Sequence, residues 1–144
     1  MDLYSQQSIN IVPIVAVDYS LANLTFDEQQ YTIHTLKDGA PNDYIDCMKS
    51  VAKAFYHFNR FIMGYGYGAR TLQDDQLPTS NIFSMTGDFM NPFTQDGNDL
   101  VQGYKNTLKN VQLALPVIYS ELVKFVCDLA QRELGIRKFD QDDA

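Results

Sequence analysis

A short apolar run, Ile11 to Val17 (IVPIVAV), limits the folds open to this chain more than anything else in it. The run is rich in β-branched residues and reads as a strand buried on both faces, as in a parallel sheet covered by helices. Pro13 is awkward inside it, because proline cannot donate to a ladder. Either it lies near the strand's start or one side of the strand lacks a normal neighbour. Asp18 to Thr25 (DYSLANLT) follows as a polar loop at the strand's carboxyl end, where open α/β sheets place their sites.

The segments that follow have the pattern such a sheet needs. Ala40-Pro41-Asn42-Asp43 predicts a helix start, with Asn42 as N-cap and Asp43 and Asp46 in the first turn. Ile45, Met48, Ala52, Phe55 and Phe58 then recur at helical spacing. Arg60 to Ala69 (RFIMGYGYGA) predicts a second strand, with Phe61, Met63, Tyr65 and Tyr67 on one face. Gly64, Gly66 and Gly68 lie on the other, where a helix can approach closely. These glycines do not lead into a helix N-terminus, so packing explains them better than phosphate binding. Asn81 to Thr86 predicts a short third strand, antiparallel to the second at the sheet's edge. Asn98 to Val111 predicts a helix with Leu100, Val101, Tyr104 and Leu108 on one face. Pro116 suits the first turn of a last helix that runs to about Leu134 and is capped by Gly135. That helix is apolar on more than one face, since Val123 and Cys127 add to Leu122, Phe125, Val126 and Leu129. Burial on two sides is expected of it. Residues 136–144 are expected to trail off as a polar, acidic tail, with Asp140 to Ala144 mobile or bound only through a partner's basic surface.

Charge and composition narrow the function. Eleven basic residues face 18 acidic ones, a net charge of −7, which argues against nucleic acid or an anionic membrane as the main partner. Gln6, Gln7, Asn10 and Pro13 interrupt the uncharged N-terminal stretch, so no membrane span is expected, and Met1-Asp2 opens without the basic region of a signal peptide. Cys47 and Cys127 both fall inside helical patterns and are expected to be buried free thiols of a reducing compartment. Nine Tyr and nine Phe fill the core and leave some rings over for protein interfaces. His34 and His57 are not spaced as a metal pair and are expected at the surface or at packing edges. No Ser-His-Asp or Cys-His constellation stands out, so the chain is not expected to be an enzyme.

The predicted order is strand, helix, strand, strand, helix, helix. Six strand–helix units of about 30 residues would need roughly 180, so the chain reads as part of such a fold. Several local segments then carry a resemblance. They are Ile14-Val15-Ala16-Val17-Asp18-Tyr19-Ser20-Leu21-Ala22-Asn23, Asn42-Asp43-Tyr44, and Gly64-Tyr65-Gly66-Tyr67-Gly68-Ala69-Arg70. Asn91-Pro92-Phe93, Tyr104 and Val111-Gln112-Leu113 ahead of Pro116 complete the run. In this order and spacing they resemble the von Willebrand factor A-type domain, and within it the copine family. The resemblance covers Ile14 to Arg132, about the first half of such a domain. It implies a truncated α/β three-layer sandwich, Rossmann-like, with three strands in the order 3-2-1 and about three helices, residues 1–144 forming one partial domain. In the family order 3-2-1-4-5-6 a fourth strand lies beside the first.

The resemblance also implies a metal position at the carboxyl end of strand 1. The family motif is Asp-x-Ser/Thr-x-Ser, with a Thr ahead of the last helix and an Asp after strand 4. Asp18 and Ser20 match its first two positions, whereas Ala22 has no oxygen to offer and Pro116-Val117 stands where Pro-Thr is expected. A hard cation such as Mg²⁺ wants near-octahedral oxygen ligands, so these remnants are too few and no metal or other cofactor is expected.

The leading expectation is therefore a non-catalytic structural or scaffolding subunit, with other protein subunits as its partners. The alternative is a Mg- or Ca-linked adaptor of the copine type. Partner contacts are expected at Ile11, Pro13, Val15 and Val17 on the strand 1 edge and at Val123 and Cys127 on the last helix. A cytoplasmic, cytoskeleton-associated location fits, and an organellar one with a removed presequence stays open.

Overall fold

The computed structural model describes residues 11–26, 31–71 and 81–142, with side chains as far as Arg132. In chain order the elements are β1 (Ile14–Asp18), α1 (Asp43–Phe55), β2 (Ile62–Tyr67), β3 (Ala69–Thr71), β4 (Phe83–Ser84), β5 (Phe93–Thr94), α2 (Gly97–Asn110), β6 (Val111–Leu113) and α3 (Tyr119–Asp142). A single 3-10 turn, Leu21–Asn23, follows β1.

β1 and β2 run parallel, from Ile14 beside Met63 to Asp18 beside Tyr67. The far side of β2 takes β4 at Tyr65 and Gly66, and β5 at Ile62 and Met63, both antiparallel. The expected order 3-2-1 holds, with the third position shared between two short strands. A separate two-stranded ladder joins β3 to β6.

Pairing register sorts the side chains between two faces, because residues opposite each other point the same way. Val15 and Val17 share a face with Gly64 and Gly66, and this is the face that α1 and α2 cover. Met48, Leu100, Val101 and Tyr104 from the helices close on Val17, Tyr19 and Ile62 from the sheet to form the core. Gly66 is required there, because a Cβ would run into the rings of Tyr19 and Phe83. Both helices start where capping chemistry puts them. Asn42 accepts from Ile45 N at 3.0 Å, and Asp96 accepts from Asp99 N at 2.8 Å.

α3 forms the third layer on the opposite face. Phe125 packs edge-on to Tyr65 at 5.1 Å and against Phe89 at 5.5 Å, while Tyr119 meets Tyr67 at 5.5 Å. Leu122, Phe125, Val126 and Leu129 are half-buried on this stripe.

Several expectations give way. β1 is not buried on both faces. Only Val17 is fully buried, and Ile14, Val15 and Ala16 are half-buried, because among the described residues β1 has β2 as its one strand neighbour. The second strand ends at Tyr67, since Gly68 turns the chain at φ +78° into β3, which leaves the main sheet. Val111, expected as the last residue of the second helix, instead opens β6. Pro116 follows a cis peptide and lies ahead of α3 rather than in its first turn. α3 passes Gly135 without stopping and reaches Asp142, so the expected tail is helical up to that residue. Cys47 and Cys127 are free but exposed rather than buried.

Candidate functional site

Several side chains converge on the carboxyl end of β1, and at their centre is a backbone oxygen. The Asp18 carbonyl accepts from Asn23 Nδ2 at 2.8 Å and from the Tyr44 hydroxyl at 3.2 Å. His34 Nε2 lies 3.0 Å from the same oxygen. A carbonyl can only accept, so Nε2 carries the proton and Nδ1 of the neutral ring is an acceptor. Tyr104 donates to that Nδ1 across 2.9 Å and itself accepts from Asn42 Nδ2 at 3.3 Å. The imidazole is stacked between Tyr19 (5.6 Å, 3°) and Tyr44 (4.9 Å, 7°). Burial disfavours its charged form and lowers its pKa, against the pull of the Asp18 carbonyl and carboxylate. Burial likewise raises the Tyr44 pKa, helped by the Asp18 charge, and pushes that of Tyr104 up to about 12. These phenols stay protonated and act as hydrogen-bond donors. His34 was expected at a surface or a packing edge and is instead the buried link between β1, α1 and α2. Sequence spacing carries no signal for it, since its Tyr104 partner lies 70 positions away. His57 is exposed, as expected.

The remnant metal residues do meet here. Asp18 Oδ1 accepts from Ser20 N at 2.8 Å, and Oδ2 lies 3.4 Å from the Tyr119 hydroxyl. Ser20 Oγ is buried with no hydrogen-bond partner. Ala22 and Val117 supply no oxygen side chain. Among the described residues no cluster of three His, Cys, Asp or Glu side chains could hold a metal ion. Of the motif's side-chain oxygens, the Asp18 carboxylate and the Ser20 hydroxyl are the ones that come together here.

The other notable feature is the outer edge of β1. Met63 N donates to Pro13 O at 3.0 Å and Tyr19 N donates to Tyr67 O at 2.9 Å. In a parallel ladder alternate residues bond to the same neighbour. Residues 13, 15, 17 and 19 therefore serve β2, and the backbone groups of Val12, Ile14, Ala16 and Asp18 point to the other side. Pro13 thus withholds its missing N–H from β2 and removes no donor from the outer edge. Pro13 and Val17 are buried, and Ile11 and Val15 half-buried. Of the expected contact positions, only Val123, at 61% exposure, and Cys127 present exposed side chains.

A family model described as Copine matches residues 32–140. The chain belongs to the copine family. It is also 26% identical over 119 residues to a curated protein of Caenorhabditis briggsae, "Nicotinic receptor-associated protein 1". That match covers 81% of the chain but only 18% of the relative, so the chain spans less than a fifth of that protein's length. The fold agrees with the A-type domain that copines carry. In this copine domain the segment Gly64 to Arg70 forms the end of β2, the Gly68 turn and the start of β3. Those elements put Tyr67 beside Asp18. No helix among the described residues is long and apolar enough to cross a membrane. A cleft of about 550 Å³ lies between β4 and the end of α2, lined by groups such as Ser84, Thr86, Asn106 and Thr107. None of its lining side chains is ionisable.

Proposed function

We propose that this copine chain is a non-catalytic structural or scaffolding subunit of a larger protein assembly that meets its partners at the outer edge of β1. The observation that carries the reading is the outer edge of β1, an apolar strand whose outward groups end at the occupied Asp18 carbonyl and which has no strand beside it among the described residues. An open edge of this kind is an aggregation hazard unless something covers it. The chemistry around Asp18 supports a structural role, because its carbonyl and carboxylate accept from side chains and amides of the fold itself, although Ser20 Oγ beside it has no partner. The relative's name speaks of association with a receptor, and association with protein is the work proposed here.

The test is to express the chain alone and follow it by light scattering and thermal melting, then to co-express it with a library of candidate subunits. Aggregation of the chain alone, relieved by a co-purifying subunit, is the expected result. A soluble monomer that melts cooperatively and captures no subunit would sink the reading.

A further inference from the structure

Tyr119 stands where the chain passes from an exposed, irregular segment into α3. Leu115, Pro116 and Ile118 ahead of it are exposed, and Tyr119 itself is 55% exposed. Its hydroxyl nevertheless reaches inward to Asp18 Oδ2 at 3.4 Å, and its ring stands edge-on to Tyr67 at 5.5 Å. Tyr56 is as open to solvent, but its ring rests against His57. The other groups gathered at this end of β1 carry no charge. They are the Asn23 amide, the neutral His34 ring and the phenols of Tyr44 and Tyr67, which burial and the Asp18 charge keep protonated. The Asp18 carboxylate is thus held by the Ser20 amide and the Tyr119 hydroxyl, with no basic side chain bonded to it among the described residues. α3 itself is lightly fastened. None of its described side chains is fully buried, and its side-chain hydrogen bonds to other parts of the described fold, Tyr119 to Asp18 and Asn81 to Glu121, are both exposed.

We propose that Tyr119 is a phosphorylation site and that a phosphate on its hydroxyl unfastens the start of α3 from β1. The site goes beyond the assembly reading and does not rest on the outer edge of β1. In the transfer, the γ-phosphoryl group of ATP passes to the Tyr119 phenolic oxygen, the phenol's proton is lost and ADP leaves. The oxygen that now donates to Asp18 then has no proton to give. In its place stands a group of charge about −1.5 to −2 beside a carboxylate, and like charges in such a place push apart. A helix start favours an anion near its first amides. The Tyr119 ring, however, carries its hydroxyl away from those amides to Asp18, so repulsion decides the outcome. Freeing α3 uncovers Tyr65, against which Phe125 now packs. One added charge would in this way open an aromatic face of the sheet.

The test treats the folded chain with ATP and a tyrosine kinase of broad specificity, places the phosphate by mass spectrometry, and then follows amide hydrogen exchange. Phosphate should appear on Tyr119. The amides of residues 119–132 should then exchange faster by about tenfold or more, while those of α1 and α2 keep their rates. Asp18→Asn keeps an acceptor for the Ser20 amide and removes the like charge, so phosphorylating this variant should speed exchange far less. Tyr119→Phe takes no phosphate at this position and reports the loss of the hydroxyl alone, which should loosen α3 only slightly. Absence of phosphate from Tyr119 in the folded chain would overturn the proposal. So would exchange in α3 that stays unchanged or slows, an equal acceleration in Asp18→Asn, or a Tyr119→Phe chain that shows the whole effect without phosphate.

Discussion

Lowering the pH should weaken this fold through His34 before any other side chain described above. The ring is neutral when folded, with Nε2–H on the Asp18 carbonyl and Nδ1 receiving the Tyr104 hydroxyl. Protonating Nδ1 would set a donor against a donor, and Tyr104 already accepts from Asn42. The folded pKa lies below the ordinary value of 6.5, with burial as the main cause. The unfolded chain therefore takes up the proton first. The stabilisation is fully present above about pH 6.5 and is lost as pH falls toward the lower folded value. A native ring that stayed wholly neutral would cost the fold about 1.4 kcal/mol between pH 7.5 and 5.5, an upper bound reduced by any water reaching the ring. The assay is urea unfolding at steps across that window, on the parent and on His34→Gln. The variant starts less stable, by about 1–3 kcal/mol, because it leaves buried partners unmatched. Its stability should then be flatter with pH than the parent's. Identical pH slopes would refute the assignment of a buried neutral imidazole.

Other outcomes follow from single contacts. Gly66→Ala should destabilise by about 1–3 kcal/mol in thermal melts, because the new methyl meets the Tyr19 and Phe83 rings. Gly87→Ala, with φ +81° but open space around it, should cost only about 1–2 kcal/mol of backbone strain. Tyr104→Phe should cost about 1–3 kcal/mol by unfastening His34 and Asn42 together. Magnesium titrated into the chain should give no saturable heat, and tight binding would restore the metal-linked adaptor reading. Lys124→Glu should change neither melting nor partner capture, whereas Val123→Glu should spare melting and impair capture.

The parts of the fold legible in the sequence are those set by local chemistry and short periods. Asn42 reads as a cap because its side chain reaches an amide three residues on, and it does so here. Gly64 and Gly66 read as a face under close packing, and the contacts of Leu100, Tyr19 and Phe83 bear that out. What stayed hidden depends on partners distant in the chain. The apolar run at β1 looks the same whether a strand has one neighbour or two, so its composition fits a central strand and its burial does not. A hydrophobic period on α3 suggests burial but cannot say which flank is covered. Only the reach of Phe125 to Tyr65 and of Tyr119 to Asp18 separates the packed stripe from the bare one. The buried role of His34 is the extreme case, a lone histidine whose neighbours come from β1, α1 and α2.

Pro13 and Asp18 together explain how one edge can be left open and still be well defined. A proline on the outer register would blunt the edge, the usual protection of an exposed strand. Here the register turns Pro13 inward, so β2 forgoes one bond and the outer row keeps every donor. At the other end the row is closed by three side chains that saturate the Asp18 carbonyl. The Asp18 carboxylate accepts from Ser20 N and from the Tyr119 hydroxyl, which ties the start of α3 to the end of β1. An accidental edge would be either blunted or ragged. Among the described residues this one keeps the outward groups of Val12, Ile14 and Ala16 and has a fixed stop at Asp18, the combination expected of an edge that another strand can join.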